Sequence, residues 1–157
     1  MKKEEREEDE EYYYKMLGRM YLRRGTANAW NSQFDAAIVD LKRAMEYTNL
    51  FNEVDIAKIK NDVRHVEMRK ESQEMKLSGD LAFARNQLDE AIECYMKSID
   101  KDPSNEYSIA NVSAIYLKRQ NYEKCLEWAN KALDCINGFQ NDTKEFQQDN
   151  TLEVKLL

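Results

Sequence analysis

The feature that most constrains this chain is that it repeats itself. The stretch GDLAFARNQLDEAIECYMKSIDKDPSN, from Gly79, returns 34 residues later: Gly79 answers to Ser113, Leu88 to Tyr122, Ala91 to Cys125, Ser98 to Ala132 and Ile99 to Leu133. Small residues fall on small ones and large apolar residues on large ones. An earlier copy, GTANAWNSQFDAAIVDLKRAMEY, starts at Gly25. Its Phe34, Ala37, Ala44 and Met45 each lie 54 residues before their counterparts Leu88, Ala91, Ser98 and Ile99. The excess over 34 is about one helix of inserted sequence. Repeats of this length mark stacked supersecondary units, none of which buries its apolar face alone.

The unit is a helical hairpin. With four glycines and one proline in 157 residues, the chain lacks the turn formers a β-rich fold needs, so the fold class is all-α. Gly79 and Ala91 let two helices approach closely, and Leu88 fills the gap near the turn. Ile92, Tyr95 and Ile99 recur at i, i+3 and i+7, the spacing of one buried helix face. Asp102, Pro103, Ser104 and Asn105 stop that helix and start the next, because Pro cannot continue a helix and Ser or Asn can cap one.

This pattern predicts the following organisation: an acidic extension at residues 1–11, a first hairpin at 12–51, a capping or linker helix at 52–71, two tandem repeats at 72–137, a polar loop at 138–151, and the start of a further repeat helix at 152–157. In the linker, Val54, Ile56, Ile59, Val63 and Val66 form an apolar stripe, and no breaker separates it from Met75, so one long helix is expected to run into the second copy. TLEVKLL, after the loop, turns apolar again.

These copies resemble tetratricopeptide repeats over roughly residues 15–47 and 72–136. Gly79, Leu88, Ala91, Tyr95, Ser98 and Asp102-Pro103 carry the resemblance in the second copy, and Tyr116, Tyr122, Trp128 and Ala132 in the third. It implies a right-handed α-solenoid of helix pairs whose first helices line a concave groove that binds a peptide or partner protein, without catalysis. The groove positions are then Lys76, Asp80, Phe83, Asn111, Ala114 and Lys118, with Leu117 beside them. A narrower resemblance is to cochaperone and dynein-arm assembly-factor repeats, which grip the C-terminal carboxylates of heat-shock chaperones. It implies roles for Lys76 and Asn111, for Lys155 in the terminal segment, and for Arg19 and Arg23 in the first copy. Asp80 departs from that pattern. It puts a carboxylate where the clamp has an amide, and like charges about 4 Å apart repel by about 4 kcal/mol in an intermediate dielectric.

Other classes fit less well. The chain has no GxxxxGK, HExxH, GxSxG or GxGxxG motif, and its one histidine, His65, has no second ligand at i+3 or i+4, so neither an enzyme, a cofactor nor a metal site is expected. A net charge of −6 disfavours nucleic acid. The one basic-aromatic patch is KRQNYEK, whose Tyr122 is expected to be taken up in hairpin packing. No run of 18 apolar residues suggests a membrane span. Cys94, Cys125 and Cys135 are odd in number, lack CxxC spacing and fit a reducing compartment, so the expected location is cytoplasmic. The reading is a protein-interaction module. The alternative is a structural scaffold subunit of a cytoskeletal or ciliary assembly, suggested by the long linker helix and the charged N-terminal extension.

Overall fold

The structure is a computed structural model that describes residues 2–47 and 51–138. Among these residues all regular structure is helical: α1 (Lys2–Trp30), α2 (Phe34–Ala44), α3 (Glu53–Ala84), α4 (Leu88–Lys101), α5 (Glu106–Lys118) and α6 over residues 122–138. The chain divides into two compact units, the first ending at Lys70 and the second beginning at Glu71. Helix α3 runs without a break from the one into the other. The acidic run is part of α1, and its residues from Arg6 to Glu11 are exposed.

The repeat seen in the sequence is written into the backbone of the turns. Ser32, Asn86 and Gln120 have φ of 58°, 61° and 58°, and they stand 54 and 34 residues apart. Each follows the first helix of a hairpin. The next residue then donates its N–H back across the left-handed residue: Gln33 to the Asn28 carbonyl (2.8 Å), Gln87 to that of Ala82 (2.9 Å) and Asn121 to that of Tyr116 (2.9 Å). Ser32, Asn86 and Gln120 themselves donate to the carbonyls of Ala29, Phe83 and Leu117. This pair of bonds closes a helix C-terminus by satisfying carbonyls the helix leaves open. Three hairpins therefore turn the same way at equivalent positions, and among the described residues the architecture is all-α and tetratricopeptide-like.

In the first unit, Ala29, Ala37, Leu41, Ile59, Val63 and Val66 form the buried core, with Leu22, Phe34, Ile38 and Met45 packed against it. Gly25 faces Leu41, and a Cβ built on it would stand 3.1 Å from the Leu41 backbone nitrogen, so α1 and α2 meet at a distance only glycine permits. The stripe read over Val54–Val66 holds at its C-terminal end, but Val54 is exposed. Asp40 is 4% exposed and held by Arg24, whose Nε and Nη2 donate to its two oxygens at 2.7 and 2.8 Å.

In the second unit Ala82, Ala91, Tyr95, Val112 and Ile115 make the core, joined at its edge by Phe83, Leu88, Ile92, Ile99, Tyr116 and Trp128. Beside it lies a buried hydroxyl cluster. Ser72, Ser98 and Ser108 are fully buried, and the Ser72 and Ser98 hydroxyls each reach the other residue's carbonyl at 2.8 Å. The Ser98 and Ser108 hydroxyls are 2.7 Å apart, and the Asn105 amide donates to Ser72 Oγ at 2.9 Å. Asn105 also caps α5 by accepting from the Ser108 N–H at 3.1 Å, which accounts for the stop-and-start read at residues 102–105. Tyr122 corrects the expectation from sequence: it is 61% exposed, since α6 turns Trp128 and Ala132 inward instead.

Candidate functional site

The second unit builds a cleft of about 260 Å³ between the last turns of α3 and the middle of α5, lined by Asp80, Phe83, Tyr95, Asn111 and Ala114. Its construction starts at Gly79. A Cβ there would stand 2.6 Å from Tyr95 Cε1, so only glycine lets the Tyr95 ring lie flat against the α3 backbone. From that position the ring is buried and its hydroxyl reaches the next residue of α3, donating to Asp80 Oδ1 at 2.8 Å.

Asp80 is the hub of the cleft. Lys76, one turn earlier on α3, donates to its Oδ2 at 2.7 Å, and the Asn111 amide, arriving from α5, donates to Oδ1 at 3.0 Å. Three donors from three helices thus converge on one carboxylate. Burial, followed by the hydrogen bond to that carboxylate, pushes the Tyr95 phenol well above its usual range, because both favour the neutral O–H. Lys76 is largely covered, its side chain 17% exposed, while that of Asp80 is 37% exposed.

Beyond this hub the wall is apolar. Phe83 is half-buried, with Lys118 Nζ standing 5.2 Å from its ring centroid, a cation–π contact across the cleft mouth. Ala114 is exposed and small, and Leu117 is exposed beside it. Such a surface offers aromatic area, a cation and a bound carboxylate within one trough.

All six groove residues read from the sequence, Lys76, Asp80, Phe83, Asn111, Ala114 and Lys118, fall in this unit, and the hydrogen bonds, the cation–π pair and the cleft lining tie them together. Arg19 and Arg23 are exposed on α1 in the first unit. Lys155 lies outside the described residues, as do the loop from residue 139 and the segment 152–157. Sequence reading missed Tyr95 as a polar member of the site, having placed it only on the buried face of α4. Gly79, sixteen residues upstream on the facing helix, was the available signal, since a glycine there leaves room for a ring. Among the described residues no cluster of His, Cys, Asp and Glu is arranged to hold a metal ion, and no helix is long and apolar enough to cross a membrane.

No protein-family model matches the chain. Among solved structures it is similar to a crystal structure of MamA, at 18% identity over 81% of this chain and 63% of that one, with a TM-score of 0.44. It is also similar to the TPR2AB domain of yeast Sti1 in complex with pHSP90, at 16% identity over 78% of this chain and 50% of that one, with a TM-score of 0.41. A second MamA crystal structure aligns at 14% identity over 78% and 75%, with a TM-score of 0.42. The chain thus spans between half and three quarters of the structures it resembles. By their own turn geometry and packing, the described residues form all-α, tetratricopeptide-like helical hairpins.

Proposed function

We propose that the protein is a non-catalytic interaction module that seats an extended peptide or partner segment in the α3–α5 cleft of its second unit. The observation that carries this reading is the cleft itself, where Phe83, Ala114 and Leu117 supply apolar contact beside the Lys76–Asp80–Asn111 hub and Lys118. An aromatic wall with a few convergent polar groups is how peptide grooves combine affinity with orientation.

The acidic C-terminus of a heat-shock chaperone is the narrower occupant that the clamp resemblance suggests. Lys76 and Asn111 already serve an internal carboxylate, so an incoming one competes with Asp80 for the same donors. The test is calorimetric titration of the chain with such a peptide and with its C-terminally amidated form. Phe83→Ala weakens the binding of either if the cleft is the site, and Lys76→Ala weakens the free-acid form more if the carboxylate is gripped. Binding of both peptides that ignores the two substitutions removes the cleft from consideration.

A structural scaffold is the second reading, favoured by Tyr12, Tyr13 and Tyr14, three consecutive exposed aromatics on α1. Tyrosine suits such a contact, since it joins a large apolar ring to a polar tip. Under this reading Tyr12→Ser/Tyr13→Ser/Tyr14→Ser abolishes incorporation into the assembly while peptide titrations stay silent.

A further inference from the structure

Helix α6 carries two adjacent apolar stripes, of which only one is covered. Cys125, Trp128, Ala132 and Cys135 recur at steps of three, four and three residues and make its inner face; Trp128 packs on the second core, Ala132 is buried and Cys135 Sγ lies 4.0 Å from the Pro103 carbonyl. Next to that face runs a second stripe, Tyr122, Leu126, Leu133 and Ile136, at 61%, 65%, 54% and 41% exposure. Glu123, Lys124, Glu127, Asn130, Lys131 and Asp134 occupy the remaining side, so the stripe carries no charge.

The repeat says what belongs on it. The residues 34 positions before Tyr122, Leu126 and Leu133, namely Leu88, Ile92 and Ile99, pack against the second core, where Val112 and Ile115 of α5 meet them; the counterpart of Ile136 is Asp102, at the end of α4. Those of the first copy, Phe34, Ile38 and Met45, pack against the first core, where Ile59, Val63 and Val66 of α3 meet them. In both cases the cover is the next apolar stretch of the chain. We infer that the same rule holds for α6, and that the stripe Tyr122–Leu126–Leu133–Ile136 is the docking face for residues 151–157 of this chain.

The segment has the chemistry for it. Leu152, Val154, Leu156 and Leu157 make four apolar residues in seven. Leu152 and Leu156 share a face in helical geometry, and Leu152, Val154 and Leu156 share one in extended geometry. Reach is ample. Residues 139–150 span up to about 40 Å, and the stripe from Tyr122 to Ile136 is about 21 Å long. Tethering also gives this segment a local concentration that no free competitor matches at ordinary protein concentrations.

The test places a benzophenone photocrosslinker at Leu126, and separately at Leu133, in the 157-residue chain. Mass spectrometry then identifies the joined peptides. The expected product is an intramolecular crosslink to residues 151–157 from both positions, lost in the Leu152→Asp/Leu156→Asp variant, whose helical circular dichroism stays native. Crosslinks between two copies would assign the stripe to self-association and overturn the proposal. So would an intramolecular crosslink to any other segment, or no crosslink at all.

Discussion

Asn111 Nδ2 stands 3.0 Å from Oδ1 of Asp80, the same oxygen that receives the Tyr95 hydroxyl at 2.8 Å, so α5 is pinned to α3 through a carboxylate that α4 also holds. Removing that carboxylate leaves two donors in or near the core without their acceptor. Asp80→Ala is expected to cost about 1–3 kcal/mol, the usual penalty for an orphaned buried partner. Asp80→Asn keeps an oxygen for Tyr95 and Asn111 but turns an N–H₂ toward the largely covered Lys76 ammonium, so its cost is expected at the lower end of the same range. Urea unfolding at neutral pH ranks the two, and no loss in either variant would show that the hub is ornamental to stability.

The left-handed turn residues give a second prediction. None of Ser32, Asn86 and Gln120 is glycine, and each occupies a backbone region that disfavours a side chain. Replacement by glycine is expected to stabilise by about 0.5–1 kcal/mol after allowing for glycine's extra freedom in the unfolded chain. Asn tolerates this conformation best, so Asn86→Gly gains least and Gln120→Gly or Ser32→Gly more. Thermal melts of the three variants check the order. A loss of stability in all three contradicts the turn geometry.

Close helix contact gives the third. Gly79→Ala sets a methyl against the Tyr95 ring, and overpacking of this kind costs about 1–3 kcal/mol, more than the roughly 1 kcal/mol that alanine contributes as a better helix former. The Gly79→Ala/Tyr95→Leu double variant is expected to be more stable than the sum of the two single losses predicts. Additive losses in the chemical denaturation curves would separate the two positions.

Much of this was legible in the sequence. The hairpins follow from small residues at Gly25, Ala37, Gly79, Ala91 and Ala132, because close approach demands them and few other positions do. The turns were less so: their left-handed residues are Ser, Asn and Gln, and the usual glycine marker is absent. Asp80 was legible as a departure but not as a hub. A one-dimensional pattern shows that it repels an incoming carboxylate, yet not that Tyr95 and Asn111 arrive from other helices to satisfy it. Tyr122 went astray because periodicity places an aromatic on an apolar face without saying which half of that face the neighbouring helices reach.

The fourth prediction concerns acid. The Arg24 guanidinium, doubly bonded to Asp40, holds that carboxyl below its usual 3.8 despite the opposing effect of burial, with Arg43 and the Asn28 amide helping. A depressed folded-state pKa means stability that is fully present above the unfolded value. It is lost as pH falls from there through the folded one. The first unit is therefore expected to weaken below about pH 4. Asp40→Asn, which has no proton to take up, is expected to show a shallower decline than the wild type in stability measured from about pH 6 to pH 3. Parallel curves would remove Asp40 from the acid response.

The central claim is that the α3–α5 cleft receives another chain, and it is tested most directly by amide and methyl chemical-shift mapping during titration with the acidic chaperone peptide and its amidated form. The account predicts that saturable shifts cluster on Lys76, Phe83, Asn111, Ala114, Leu117 and Lys118, and that Phe83→Ala weakens binding about tenfold or more, as loss of an aromatic anchor does. Saturable shifts confined to other surfaces, with the cleft residues unmoved, would contradict it.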